Sequence, residues 1–208
     1  MKTKLTLLLI ATVITTLFSA CKATSKSLTT KTPSKTVIHV LDSLDLDKDV
    51  KKGVCTKQGE ALVGMAQSVL ETGIKLPEEY DIVWEFESQS TAVNLLLVSP
   101  IGKRFEYMVK GWSHRLTAIR NVDGKEANES DTTVEFPLDE SRHKVTIKVR
   151  KDRFVATIND KLVLDYPTDW ENIEITIPWH DVELNSHTLG LWFYKHWTKT
   201  YRLDMIPK

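Results

Sequence analysis

The stretch HKVTIKVRKDRFVATINDKLVLD, residues 143–165, decides the fold class. Apolar side chains recur at every second position in both of its halves: Val145, Ile147 and Val149, then Phe154, Ala156 and Ile158. This period of two predicts half-buried strands of an antiparallel sheet. The dipeptides Lys151-Asp152 and Asn159-Asp160 are short enough to be tight turns, so the stretch predicts a three-strand meander.

Strand-like patterns continue through the rest of residues 37–208. Asp81–Glu87 alternates in the same way, and Leu44–Lys52 is either a short helix or a charged loop. Further strands are predicted at Val37–Leu41, Ala61–Gly64, Ser68–Lys75, Ala92–Val98, Arg104–Lys110, Leu116–Val122, Glu174–Ile177, Leu189–Tyr194 and Thr200–Ile206. About a dozen short strands separated by turns predict an all-β, antiparallel sandwich over residues 37–208.

The charge of the chain is unevenly distributed. The 208 residues carry 28 basic and 28 acidic side chains, but residues 1–36 contain six lysines and no acid. The remaining 22 basic and 28 acidic residues give the body a net charge of −6. Nucleic-acid binding needs a clustered basic face, so we expect no nucleic-acid partner.

Residues 1–20 have the order of an export signal peptide. Lys2 and Lys4 precede an apolar run from Leu5 to Phe18, and small residues lead to Cys21. This arrangement resembles the lipobox of bacterial lipoproteins. The resemblance implies cleavage before Cys21, acylation of its thiol, and a membrane-anchored protein of the bacterial cell envelope, in the periplasm or on the cell surface. The alternative is an ordinary secretory signal that leaves a soluble exported protein.

Residues 21–36 are rich in Ser, Thr and Lys and contain little that a fold could bury, so they predict a flexible tether. If Cys21 carries lipid, Cys55 has no partner for an intramolecular disulfide. We therefore expect Cys55 to be a small buried hydrophobic residue. The domain must then be stabilised by burial alone.

Several segments together resemble a known fold family. They are Gly-Glu-Ala-Leu-Val (59–63), Leu-Pro-Glu-Glu-Tyr-Asp-Ile (76–82), Val-Asn-Leu-Leu-Leu (93–97), Phe-Glu-Tyr-Met-Val (105–109), the stretch 143–165, and Leu-Gly-Leu-Trp-Phe (189–193). Their order resembles the concanavalin A-like jelly roll, in particular its laminin-G-like and 3-keto-disaccharide hydrolase-like domains. The resemblance covers residues 37–208 and implies a jelly-roll sandwich that binds sugars on a concave sheet or on loops at its edge.

A first group of candidate binding residues surrounds Asn94. An amide inside an apolar strand must be hydrogen-bonded or face a groove. Across a hairpin it could neighbour Glu106 or Met108, which share a face with Lys110. Together with Trp112, the residues Asn94, Glu106 and Lys110 form a candidate ligand-binding cluster.

Aromatic side chains supply a second group. Trp112, Trp170, Trp179, Trp192 and Trp197 occur in or beside loops and late strands. In Leu189–Tyr194, alternation places Trp192 and Tyr194 on the side opposite the leucines, and therefore away from the core. They are candidate ligand-binding residues unless the loop 166–188 covers them.

The sequence does not supply a complete set of catalytic acids. Glycosidases use two carboxylates. Glu85 and Glu87 share a strand face, but Gln89 stands where the laminarinase-like enzymes of this fold have a third acid. The resemblance to the 3-keto-disaccharide hydrolase-like pattern assigns its strand Glu to Glu106, although Met108 and Leu95-Leu96 depart from that pattern.

Three functional hypotheses remain open: a non-catalytic carbohydrate-binding module for a polysaccharide or oligosaccharide, a glycoside hydrolase with Glu106 as acid/base, and a structural or protein-interaction lipoprotein. We expect no cofactor. The pairing of His180 with Asp181, and His196 near Trp197, bring histidine close to acids or aromatics. The six histidines lack ligand spacing, so no metal site is predicted.

Overall fold

The computed structural model describes residues 36–173 and 182–208. Lys35–Lys208 forms one compact unit. Within the described residues, no helix is long and apolar enough to cross a membrane. The strands in chain order are β1 Ile38–His39, β2 Val50–Lys52, β3 Cys55–Gln58, β4 Ala61–Gly64, β5 Ser68–Lys75, β6 Tyr80–Ser88, β7 Val93–Val98, β8 Arg104–Lys110, β9 Leu116–Ile119, β10 Val134–Glu135, β11 His143–Arg150, β12 Arg153–Ile158, β13 Lys161–Pro167, β14 Thr188–Phe193 and β15 Thr198–Pro207.

These strands form two antiparallel sheets. Sheet I has the order β13-β12-β11-β6-β15-β4-β3, with β1 also paired to β15. Sheet II has the order β10-β9-β8-β7-β14-β5-β2. Neighbours such as β7 and β14 are distant in sequence, because the chain passes repeatedly between the two sheets. The predicted all-β jelly-roll sandwich is confirmed.

The meander predicted from residues 143–165 forms one side of sheet I. Arg150 pairs with Arg153, and Ile158 pairs with Lys161, so each connection is a two-residue turn. Asn159 and Asp160 have positive φ angles of 50° and 62°. This is the backbone of a type I′ turn, whose twist matches that of the flanking strands.

The main hydrophobic core lies on the inward faces of the strands. Alternation places Tyr80, Ile82, Trp84 and Phe86 of β6 in it, and likewise the inward-facing apolar residues of β11, β12 and β14, such as Leu191. Trp170, considered above as a loop aromatic, is also a core residue. Its ring is fully buried against Phe105 and its Nε1 donates to the carbonyl oxygen of Arg150 at 2.9 Å.

Some predicted boundaries differ from the observed ones. Val37–Leu41 is a strand only at β1, and a 3-10 turn, Val40–Ser43, follows it. Leu44–Lys52 contains the single-turn helix α1, Leu46–Asp49, and then β2. The predicted strand Glu174–Ile177 lies outside the described residues.

Three edge strands, β2, β3 and β10, were not predicted from the sequence. In β3 only the first residue, Cys55, is buried, so no alternation marks the strand. Cys55 belongs to the hydrophobic core cluster and is a free cysteine, which confirms its predicted role as a small buried residue. Burial raises the pKa of its thiol to about 11.

Candidate functional site

A row of side chains crosses three neighbouring strands of sheet II. Asn94 of β7 pairs with Trp192 of β14 on one side and with Met108 of β8 on the other. The residues next to them in sequence, such as Val93, Leu95 and Leu191, lie in the main core. Because side chains alternate across a strand, the row faces the outside of the sandwich.

The row forms part of a pocket of about 480 Å³. The residues that line it are Thr91, Ala92, Asn94, Met108, Gly111, Trp112, Ser113, Arg120, Trp192, Tyr194 and Lys195. The rings of Trp192 and Tyr194 meet edge to face, with their centroids 5.5 Å apart. Trp192 is only 4% exposed, whereas Trp112 is 45% exposed and stands at the mouth.

Asn94 is the most unusual member of the lining. It is fully buried, yet neither Oδ1 nor Nδ2 has a hydrogen-bond partner in the part of the chain that the structure describes. Leaving a buried polar group unbonded costs about 1–3 kcal/mol, so most such groups are paired. The amide therefore offers an unused donor and an unused acceptor to whatever enters the pocket.

A left-handed turn places Trp112 at the mouth. Lys110, Trp112, Ser113 and His114 all have positive φ angles, between 44° and 70°. Non-glycine residues adopt this region only where the surroundings impose it, and such strain clusters at functional sites. Gly111 leaves space here for the end of the Met108 side chain, which a Cβ at this position would displace.

Lys110 anchors this turn and does not line the pocket. Its Nζ donates to the carbonyl oxygens of Ser88, at 2.6 Å, and Asp139, at 2.7 Å. The side chain is fully buried, and burial lowers the pKa of its ammonium group. Its contribution to the site is thus to fix the backbone from which Trp112 projects.

Glu106 also does not line the pocket and lies next to it on the outer face of sheet II. Its carboxylate accepts from Nη1 of Arg120 at 3.2 and 3.3 Å, and the residue is 2% exposed. Burial raises the pKa of Glu106 to about 7, against the opposing effect of the Arg120 charge. Nη2 of Arg120 is held in turn by Glu126 at 3.3 Å.

Four of the six predicted ligand-binding residues therefore line one pocket: Asn94, Trp112, Trp192 and Tyr194. Glu106 and Lys110 are immediate supports of that lining. Arg120 and Lys195 were missed. Arg120 continues the outward alternation of β9, so the periodicity of that strand could have suggested it. Lys195 directly follows Tyr194 in sequence, and this adjacency could have suggested it.

The other candidate groups do not meet this pocket. Glu85 and Glu87 lie on the outer face of sheet I, where Glu85 is held by Arg142 at 2.6 Å. Trp179, His180 and Asp181 lie outside the described residues. Among residues 36–173 and 182–208, no cluster of three or more His, Cys, Asp or Glu side chains could hold a metal ion.

The sequence matches no protein-family model, and no curated protein matches it in sequence. Solved structures with the same fold do match. A carbohydrate-binding module, CBM66, from Bacillus subtilis superposes with a TM-score of 0.54 at 12% identity, covering 76% of this chain and 93% of that one. A predicted glycosyl hydrolase from Parabacteroides distasonis superposes with a TM-score of 0.57 at 10% identity, covering 83% of this chain and 94% of that one.

The transglycosylase Crh5 in complex with NAG gives a TM-score of 0.52 at 14% identity, covering 84% of each chain. At such low identities these likenesses show the fold alone. The chain therefore has the β-sandwich that these carbohydrate-binding and glycosyl hydrolase-like proteins share.

Proposed function

We propose that this protein is a lipid-anchored protein of the bacterial cell envelope whose sandwich binds carbohydrate in the sheet II pocket without cleaving it. The observation that carries the proposal is the buried, unbonded amide of Asn94 beside the ring of Trp192. The fold shared with a carbohydrate-binding module agrees with it.

The chemistry of the lining suits a sugar. The indole of Trp112, exposed at the mouth, can stack on the apolar C–H face of a pyranose ring. The donor and acceptor of one amide lie side by side, so Asn94 can bond two adjacent hydroxyl groups at once. An apolar pocket with a few convergent polar groups is the usual form of a small-ligand site.

The position of Glu106 supports binding without catalysis. Its two oxygens face Arg120, and no Asp or Glu occurs in the described part of the pocket lining. A glycosidase of the usual kind needs two carboxylates on either side of the scissile bond. The described lining offers none.

Binding is tested by screening the full-length protein against a glycan array and titrating the hits by calorimetry. We expect Trp112→Ala to weaken binding by about tenfold or more, which corresponds to about 1.4 kcal/mol. Leu162→Ala is the matched control, because Leu162 is 63% exposed on β13, away from the pocket. Equal affinities in both variants, or no bound glycan at all, would contradict the proposal.

One observation favours a second candidate, a glycoside hydrolase that acts on 3-keto sugars with Glu106 as acid/base. A carboxyl group with a pKa of about 7 is suited to proton transfer near neutral pH. The test is hydrolysis of 3-keto-disaccharides by the wild type and Glu106→Gln. Turnover that is lost in the variant supports the enzyme, and equal or absent turnover in both eliminates it.

The lipid anchor on Cys21 is a separate part of the proposal, supported by the order of residues 1–21. A single acyl chain binds a membrane only marginally, so stable anchoring needs more than one chain. We expect the mature protein to partition into detergent and Cys21→Ser to remain in the aqueous phase. Mass spectrometry of the mature amino terminus distinguishes an acylated Cys21 from an ordinary secretory cleavage nearby.

A further inference from the structure

We propose that the sheet II pocket binds an acidic glycan, one whose sugars carry carboxylate or sulfate groups, and that Arg120 and Lys195 hold the anionic group. This inference rests on the proposed function and specifies its ligand class. It follows from which charged side chains line the pocket and how each of them is held.

Arg120 is fixed in a single orientation. Glu106 binds Nη1 and Glu126 binds Nη2, while the backbone N–H of Arg120 donates to the carbonyl oxygen of Glu106 at 3.0 Å. The third nitrogen, Nε, is buried and has no partner within the described residues. Because both terminal nitrogens are engaged, the Nε–H of this guanidinium is a preorganised donor for one oxygen of an anionic group.

Lys195 supplies a charge that the described residues do not neutralise. Its side chain is exposed, its Nζ lies 5.2 Å from the centroid of the Tyr194 ring, and its backbone N–H is held by Oγ of Ser90 at 3.0 Å. No carboxylate of the described residues forms an ion pair with it. An uncompensated cation at the mouth attracts a charged ligand.

The acids near the pocket compensate the charge of Arg120 and leave Lys195 as the uncompensated cation of the described lining. The carboxylate of Glu106 accepts from Nη1 of Arg120, and the carboxylate of Glu126 accepts from Nη2. In the described lining, the charged side chains are thus Arg120 and Lys195 alone. Asn94 would still bond ring hydroxyls, while the two cations would distinguish a charged sugar from a neutral one.

The test compares ligands that share a backbone and differ only in charge. Galacturonic acid oligomers are titrated into the full-length protein against the same oligomers with every carboxyl methyl-esterified. Sulfated galactan oligomers are titrated against their desulfated forms. We expect at least one charged member to bind about tenfold more tightly than its neutral partner, with an advantage that shrinks as salt is raised. Which pair shows the effect distinguishes carboxylate from sulfate.

The role of the cations is tested with Lys195→Gln, which changes an exposed side chain and leaves the fold intact. We expect it to weaken binding of the charged ligand about two- to fivefold more than binding of the neutral partner. Lys199→Gln is the matched control, because Lys199 lies on β15 next to Tyr201, outside the pocket.

The outcomes separate the two proposals. Equal affinity for both members of each pair, together with loss of binding in Trp112→Ala, would overturn the acidic-glycan inference and leave carbohydrate binding intact. Failure of every glycan, charged or neutral, to bind would overturn both. A charge preference that is unchanged in Lys195→Gln would overturn the assignment of Lys195.

Discussion

The carboxylate of Glu106 accepts from the guanidinium of Arg120 at 3.2 Å beside the pocket. Both residues lie on the outer face of sheet II, one row away from Asn94, because Glu106 pairs with Leu96 rather than with Asn94. Burial of this acid has a measurable consequence for stability.

Stability should depend on pH through Glu106. Its pKa is about 7 in the folded protein and near 4.5 when exposed, so the folded state binds the proton more tightly. The stabilisation that this gives is full below about pH 4.5 and is lost as the pH rises through about 7. At about 1.36 kcal/mol per pKa unit, the loss is up to about 3 kcal/mol.

Urea unfolding between pH 4 and pH 8 measures this effect. We expect the wild type to lose stability relative to Glu106→Gln across that range, because the amide does not titrate. Parallel pH profiles for the two proteins would show that Glu106 keeps an ordinary pKa.

Because Gly111 packs closely on Met108, an alanine at position 111 should conflict with the Met108 side chain, and shortening Met108 should relieve the conflict. Gly111→Ala should destabilise the protein by no more than about 1 kcal/mol, since a Cβ there overlaps only the flexible end of the Met108 side chain, which can move. The penalty should shrink in a Met108→Ala background, as a double-mutant cycle would show. Gly73→Ala is the control, because a Cβ at Gly73 meets nothing within 4 Å. An equal penalty in both backgrounds would contradict the contact.

The two turns of the meander should respond differently to alanine. Asn159 has a positive φ of 50°, and its Oδ1 accepts from the backbone N–H of Lys144 at 3.0 Å. Asn159→Ala removes that bond and replaces an asparagine, which tolerates left-handed backbone, with an alanine, which tolerates it less, so we expect a loss of about 1–2 kcal/mol. Asp152→Ala in the other turn should cost less than about 0.5 kcal/mol. Thermal unfolding measures both, and similar losses would argue against the type I′ turn.

The sequence was most informative about individual strands and the faces of their side chains. The predicted strands Ala61–Gly64, Ser68–Lys75 and Arg104–Lys110 have the observed bounds. Alternation also placed Trp192 on the correct face, and the isolated amide of Asn94 marked the pocket floor. These are local patterns, so a single segment is enough to reveal them.

The residues that the sequence did not reveal reach the pocket through strand pairing, which no single segment shows. Arg120 approaches the pocket because β9 pairs with β8, and Lys195 because β14 lies beside β7. Face periodicity likewise could not show that Lys110 turns its ammonium group towards Ser88 and Asp139 instead of the pocket. Trp170 gave no periodic signal that would mark it as a core residue.

Replacement of Asn94 by leucine tests the central claim most directly. The change removes an unbonded buried amide from a floor formed with Met108 and Trp192, and the new side chain is of similar size. We expect Asn94→Leu to unfold at a higher temperature than the wild type, with a gain of about 1–2 kcal/mol, and to lose glycan binding. A variant that is less stable, or that binds glycan as the wild type does, would show that Asn94 serves the fold and not a ligand.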